Sequence, residues 1–177
     1  MKKNKALLVA GVLGTASIVY LATRKKMEQS FPVVTPFDIN RYLGRWYEIA
    51  RLDFKWEKNL TKTTAHYSLN KDGSVKVVNQ GWHLKKEEWQ VSEGKAKPRS
   101  KNTGALKVSF FGPFYDEYNV VEITTDYKYA LVFGKNTDYM WILSREKTVP
   151  DLVLNLFLLK AKSFGFKTED LVWPDHE

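Results

Sequence analysis

The chain has 177 residues, of which 44% are hydrophobic and 14% aromatic, enough for one domain with a sizeable apolar core and too apolar for a disordered chain. It contains no cysteine, which excludes thiol catalysis, disulfide bonds and thiolate metal sites together. Most of the formal net charge of +8 lies in residues 1–30, so the remainder is only mildly basic and shows no basic stripe for nucleic acid.

The first thirty residues contain a hydrophobic segment that predicts attachment to a membrane. Residues 6–23 carry no charged side chain and are flanked by KKNK and RKK. As a helix, at about 1.5 Å per residue, they would extend about 27 Å, close to the hydrocarbon thickness of a bilayer. An uncleaved anchor is favoured over a signal peptide cut after Ala16, and the charge on both sides leaves the orientation open.

These features divide the chain into two regions. We expect residues 1–30 to form a signal anchor or signal peptide, with residues 28–36 as a linker. Residues 31–177 should then form a single domain in the cell envelope, either anchored to the membrane through the N-terminal helix or periplasmic.

From residue 46 onward, short runs of strand-forming residues recur at intervals of about 8 to 14 residues, separated by turn residues. The predicted strands are residues 46–52, 63–69, 74–80, 88–97, 105–111, 118–124, 129–134 and 139–145. Asn70-Lys71-Asp72-Gly73 predicts a tight hairpin, and Gly112-Pro113 and Lys135-Asn136 mark further turns. Consecutive hairpins of this kind predict an antiparallel meander of eight strands.

One helix is predicted after the last strand, at residues 152–163. Pro150 and Asp151 suit the start of a helix, and Gly165 suits a position just past its end. Its apolar residues form more than a narrow stripe, so the helix needs apolar partners, and Met140 and Ile142 on the outer face of the last strand are the nearest candidates.

Together with a short strand near residues 171–173, these elements predict an all-β fold. It is an eight-stranded antiparallel up-and-down barrel with a C-terminal α-helix packed on its outside, plus the N-terminal hydrophobic helix.

Three separated motifs connect these elements to a known family. They are Gly44-Arg45-Trp46 at the start of the first strand, Thr125-Asp126-Tyr127 before the seventh, and Arg145 at the end of the eighth. The chain resembles the lipocalins from about residue 37 to residue 173, and within them the bacterial group that is also similar to apolipoprotein D. The resemblance implies that Gly44 lets the chain bend at the closed end of the barrel, while Trp46 plugs that end with Arg145 laid across it.

The inner face of such a barrel decides what it can bind, because eight strands leave room for one small ligand at most. With Trp46 pointing inward, the two-residue alternation of a strand predicts the other inner positions. The candidate ligand-binding residues are Glu48, Ala50, Val77, Asn79, Ala96, Val108, Phe110, Tyr118, Tyr139 and Trp141. This mainly apolar lining suits an acyl chain whose polar head stays near the opening, although the aromatic side chains could instead fill the barrel.

Glu48 and Glu122 are the carboxylates expected inside, where an unpaired charge is costly, so one or both should face an internal water or an inward basic group. The three histidines are scattered, and His66 is expected to face outward between inward-facing Ala65 and Tyr67. Without a cysteine, a His-x-x-x-His spacing or a coherent constellation, we expect no catalytic site, no metal site and no cofactor.

The resemblance implies a binding protein of the bacterial envelope that holds a fatty acid or lysophospholipid for membrane lipid storage, transport or repair. Two alternatives stay open: a lipid-modifying enzyme, although the cysteine route of the prostaglandin synthase type is excluded, and a structural envelope protein with a filled barrel. The expected partners are a single-chain lipid and a membrane but no nucleic acid, and a homodimer is left open. Members of the bacterial group are acylated on a cysteine that this chain lacks, so acylation is not expected.

Overall fold

The computed structural model describes residues 30–55 and 57–177, so the hydrophobic helix predicted at residues 6–23 lies outside the described residues. Within the described part, no helix is both long enough and apolar enough to cross a bilayer. The elements are α1 (Ile39–Tyr42), β1 (Gly44–Leu52), β2 (Leu60–Leu69), β3 (Val75–His83), β4 (Glu88–Pro98), β5 (Ala105–Phe111), β6 (Phe114–Ile123), β7 (Tyr129–Phe133), β8 (Met140–Ser144), α2 (Asp151–Ser163), a 3₁₀ turn (Thr168–Asp170) and β9 (Leu171–Val172).

The strands form one closed sheet. Each strand from β2 to β7 pairs antiparallel with the next, and β1 closes the barrel by pairing with both β2 and β8. The short strand β9 extends the sheet by pairing with the end of β1. Trp46 lies opposite Ala65 on β2, and Glu48 lies opposite Leu143 on β8. The predicted eight-stranded antiparallel barrel with a C-terminal helix is thereby confirmed.

Two hydrophobic cores lie on opposite sides of the sheet. The inner core fills the closed end of the barrel around Trp46 and Val120. The outer core lies between the sheet and α2, where Phe157 packs with Met140 and Ile142, the two partners predicted for the helix. The opposite face of α2 stays in solvent and includes Leu152, Leu156 and Leu159.

The segment before α1 is part of the folded domain. Phe31 is buried, and its ring lies 5.0 Å from that of Phe133 and 5.6 Å from that of Phe166. The Val34 amide donates to the Val120 carbonyl. Residues 31–36 were expected to belong to a linker, but their apolar side chains and backbone groups bind them to the barrel wall.

The C-terminal tail is bonded to the first two strands. The Thr61 hydroxyl donates to the Asp175 carbonyl and accepts from the Asp175 amide. The Lys62 amide also donates to the Asp175 carbonyl. His176 Nε2 lies 2.8 Å from the Glu48 carbonyl oxygen. The last residues of the chain therefore help to hold β1 and β2 in place.

Candidate functional site

The inner faces of the strands enclose a cavity of about 410 Å³. It reaches the end of the barrel that is formed by the loops after β1, β3, β5 and β7, which we call the mouth. Most of the wall is aliphatic or aromatic, with Phe54, Ala65, Tyr67, Val77, Ala96, Leu106, Val108, Phe110, Tyr118, Tyr139, Trp141 and Leu143 among the lining residues. A volume of this size suits one small ligand.

The opposite end of the barrel is sealed by Trp46 and Arg145. The guanidinium carbon of Arg145 lies 3.8 Å from the centroid of the Trp46 ring, which is fully buried. Arg145 also donates to the backbone carbonyls of residues 41, 42, 43 and 45. Gly44 has a φ of 94°, and a Cβ there would lie 3.4 Å from Arg145 Nη1, so a side chain would be strained at this bend. This closed end has the geometry that the family resemblance implies.

The Thr125-Asp126-Tyr127 motif forms the turn between β6 and β7, outside the cavity. The Arg41 guanidinium lies 4.1 Å above the Tyr127 ring and donates to the Thr125 carbonyl. The Asp38 amide donates to the Tyr127 hydroxyl. Asp126 accepts hydrogen bonds from Thr124 and from the Lys128 amide, which lower the pKa of its carboxyl. The motif therefore fixes the segment around α1 to the closed end and has a structural role.

Nine of the ten candidate ligand-binding residues line the cavity, and Ala50 does not. The pairing of β1 with β8 shifts register between Glu48 and Ala50, which marks a β-bulge at Ile49. The extra residue reverses the alternation beyond it, so Ala50 lies opposite Ile142 and packs in the outer core under α2. The prediction that Ala50 faces inward is wrong for this reason.

The same bulge brings a basic residue to the inside of β1. Arg51 is only 1% exposed, and its Nη1 lies 2.6 Å from Glu48 Oε1, which also accepts from Thr63 Oγ1 at 3.1 Å. Arg51 Nη2 donates to the backbone carbonyls of Glu57 and Leu60. Glu48 thus has the basic partner that its buried position requires, but strict alternation placed Arg51 outside.

Glu57 is a second carboxyl of the site, and no sequence pattern pointed to it. It lies in the loop between β1 and β2, where Trp141 Nε1 donates to its Oε2 at 3.1 Å. Burial raises the pKa of the Glu57 carboxyl well above its ordinary value, and the neighbouring Glu48 carboxylate raises it further. The carboxyl therefore keeps its proton to a higher pH than an exposed glutamate.

Glu122, the other carboxylate expected inside, lies on the outer face. A register shift between Val120 and Glu122 in the pairing of β6 with β7 marks a bulge at Val121. Beyond it, Glu122 points toward α2, where Lys160 Nζ lies 2.5 Å from its Oε2. The expected internal position of Glu122 is wrong because the bulge reverses the alternation there as well.

At the base of the cavity, three tyrosine hydroxyls meet. The Tyr118 hydroxyl oxygen lies 2.6 Å from that of Tyr42 and 3.0 Å from that of Tyr67. Tyr67 and Tyr118 line the cavity, whereas Tyr42 is fully buried beneath them against Trp46. Sequence alternation identified Tyr67 and Tyr118 as inward but gave no sign of Tyr42, which belongs to α1.

The histidines and acidic groups give no sign of a metal centre. His66 is exposed on the outer face, as expected, and His176 contacts the β1 backbone. Among the residues that the structure describes, no three or more His, Cys, Asp and Glu side chains are grouped so that they could hold a metal ion.

A larger groove of about 950 Å³ lies on the outside of the barrel at the closed end. It runs between the segment around α1 and the loop between β4 and β5, and Arg41, Arg99 and Lys101 are among its polar lining residues. None of the candidate ligand-binding residues lies there. The interior cavity is the better candidate site because the strands surround it, whereas the groove is open to solvent.

The sequence matches a known family over most of its length. Residues 37–176 match the family model described as a lipocalin-like domain. One similar protein is the outer membrane lipoprotein Blc of Citrobacter freundii, which is 44% identical over 170 residues that cover 96% of each chain. Another is the outer membrane lipoprotein Blc of Escherichia coli strain K12, which is 49% identical over 142 residues that cover 80% of each chain.

The fold also matches solved structures. Insecticyanin of the tobacco hornworm Manduca sexta aligns with a TM-score of 0.70, covering 84% of this chain and 86% of its own. The two sequences are 20% identical, so this likeness supports the barrel architecture alone.

Proposed function

Because the chain belongs to the lipocalin family, we propose that it binds a single-chain lipid, a fatty acid or a lysophospholipid, inside its barrel. The binding would serve storage, transport or repair of membrane lipid in the bacterial cell envelope. The observation that supports this function is the cavity of about 410 Å³, whose wall is mainly aliphatic and aromatic and which reaches the mouth. The proposal is for a binding protein and not an enzyme.

The cavity wall favours an acyl chain. Each CH₂ group transferred from water to an apolar wall contributes about 0.8 kcal/mol. Val77, Val108 and Phe110 offer such a wall along β3 and β5. One cavity of this volume suits a single chain better than the two chains of a diacyl lipid.

The polar head of the lipid belongs at the mouth. A charged group that enters the apolar part of the barrel without a partner would lose its hydration at a large cost. The lining residues near the mouth include Lys135 and Asp116, whose Nζ and Oδ1 atoms lie 2.9 Å apart in a half-exposed ion pair. The Lys135 ammonium can contact a negatively charged part of a head group, and the Asp116 carboxylate can contact a positively charged part.

Lipid binding can be tested with the delipidated full chain by native mass spectrometry. Palmitic acid and a palmitoyl lysophospholipid should each form a one-to-one adduct at micromolar concentration. Phe110→Asp places a carboxylate in the apolar wall and should weaken binding by at least about tenfold. Val91→Asp introduces the same charge at an exposed position of β4 and should leave the affinity unchanged.

Two results would contradict lipid binding. If the wild-type protein forms no adduct with either lipid, the barrel is filled and the structural alternative is correct. If adducts form but Phe110→Asp binds as well as wild type, the lipid is held outside the cavity.

The envelope location extends the same proposal. Two relatives are named outer membrane lipoproteins, but this chain has no cysteine to carry an acyl group. We propose that residues 6–23 anchor it instead. The intact mass of the native protein should therefore include the first thirty residues, and the protein should stay with membranes after osmotic shock. A mature chain that begins near Ser17 and is released by the shock would contradict the anchor.

A further inference from the structure

The three tyrosine hydroxyls at the base of the cavity have one proton more than the hydrogen bonds among them can use. Tyr42, Tyr67 and Tyr118 make only two contacts among their hydroxyls, through Tyr118. Burial raises the pKa of all three hydroxyls, so each keeps its proton. Three protons and two contacts leave one O–H without an acceptor among the residues that the structure describes.

The spare O–H faces the cavity. Tyr42 is fully buried and does not line the cavity, so an unpaired proton on Tyr42 would be a costly buried donor. Tyr42 therefore donates to Tyr118. The unpaired proton then belongs to Tyr118 or to Tyr67, and both of these side chains line the cavity.

The cavity wall also contains an acceptor without a partner. Asn79 Oδ1 is buried and has no hydrogen-bond partner in the described part of the chain. Asn79 also lines the cavity, and it pairs with Ala65 on β2, while Tyr67 pairs with Val77 on β3. Tyr67 and Asn79 are thus diagonal neighbours on the inner face, the arrangement in which long side chains on adjacent strands can reach a common group.

We propose that the preferred ligand carries an oxygen function within its buried chain, a hydroxyl above all, held between the Tyr67–Tyr118 pair and Asn79. A hydroxyl accepts from the tyrosine O–H and donates to Asn79 Oδ1, so it pairs both groups at once. A plain alkyl chain leaves both unpaired. This inference rests on the proposed function and narrows its ligand from any single-chain lipid to a hydroxylated acyl chain.

The inference can be tested by comparing stearic acid with the positional isomers of monohydroxystearic acid. The delipidated full chain should bind at least one isomer about fivefold or more tighter than stearic acid, because only a hydroxyl at the right depth reaches both groups. Asn79→Leu removes the acceptor and should abolish this preference. Tyr115→Phe removes a tyrosine hydroxyl at an exposed position that does not line the cavity, so the ratio of the affinities for the hydroxylated and the plain acid should not change.

A second variant removes the donor without leaving a partner unpaired. Replacing Tyr42, Tyr67 and Tyr118 together by phenylalanine keeps the shapes of the rings and removes all three hydroxyl groups. The triple variant should fold and bind stearic acid but show no preference for a hydroxylated isomer.

The outcomes separate this inference from the proposed function. If stearic acid binds and no isomer binds more tightly, the inference is wrong. It is also wrong if Asn79→Leu or the triple variant keeps the preference. In either case the unpaired tyrosine proton and Asn79 Oδ1 bind only internal water. Lipid binding itself would still stand in that case. If neither stearic acid nor any isomer binds, the inference and the proposed function both fall.

Discussion

Glu57 is a buried carboxyl near the mouth of the barrel whose ionisation makes the stability of the protein depend on pH. The groups that face it are Glu48, Arg51, Asp53 and Trp141. Its pKa is raised in the folded protein, so between the unfolded and folded pKa values the folded state binds more protons than the unfolded state. The free energy of unfolding must therefore fall as pH rises through that window.

Glu57→Gln should remove this dependence. Glutamine never ionises, and its side-chain oxygen can still accept from Trp141 Nε1. The stability of the variant relative to wild type should therefore increase as pH is raised from about 5 to about 8, measured by urea denaturation at each pH. The same exchange at the exposed Glu88 should leave the pH profile unchanged. Parallel profiles for wild type and Glu57→Gln would show that Glu57 ionises normally.

Arg145 is the residue on which the closed end depends. Arg145→Ala removes the stacking on Trp46 and leaves several backbone carbonyls without a donor. The expected loss is about 1 to 3 kcal/mol in the free energy of unfolding, measured as a lower denaturation midpoint. Arg145→Lys keeps the charge but not the planar fork, so it should restore only part of the loss. An unchanged midpoint for Arg145→Ala would show that the stacking contributes nothing.

At the scale of the elements, α2 presents one buried and one exposed apolar face. Phe157 is 2% exposed in the outer core, whereas the adjacent Leu156 is 57% exposed. Phe157→Ala should destabilise the protein by about 3 to 5 kcal/mol because it leaves a cavity under the helix. Leu156→Ala exchanges two residues of similar helix propensity at an exposed position, so it should change the free energy of unfolding by less than about 0.5 kcal/mol. Equal effects in chemical denaturation would mean that the helix does not pack as described.

Two of the bulges, those in β1 and β6, mark where the alternation of side chains stops predicting the inner positions. Alternation predicts the inner positions correctly along β3, β4 and β5, for example at Val77 and Val108. It fails after Ile49 and Val121, because one extra residue shifts every later side chain to the other face. Nothing in the local sequence marks these bulges, since they arise from pairing with strands distant in the chain.

For the whole molecule, the barrel, its strand order and the outer helix could be predicted because turns and alternation are local features. The closed end was predicted from Trp46 and Arg145, whose roles came from the family resemblance. The polar contacts of the site were not predictable in the same way. Glu57 lies in an irregular loop and Tyr42 in a one-turn helix, so only the folded chain brings them to Trp141 and Tyr118.

The bonding of the C-terminal tail to β1 has a consequence for folding during synthesis on the ribosome. The Glu48 carbonyl meets His176 across 128 residues of chain, and Thr61 meets Asp175 across 114. A ribosome synthesises β1 and β2 long before it releases the residues that complete their bonding. One edge of β1 therefore stays unpaired until β8 has been synthesised, and the contacts of residues 175 and 176 come later still. An unpaired strand edge of this kind can pair with another chain, so β1 is the part of the domain most exposed to misassembly while the chain is being made.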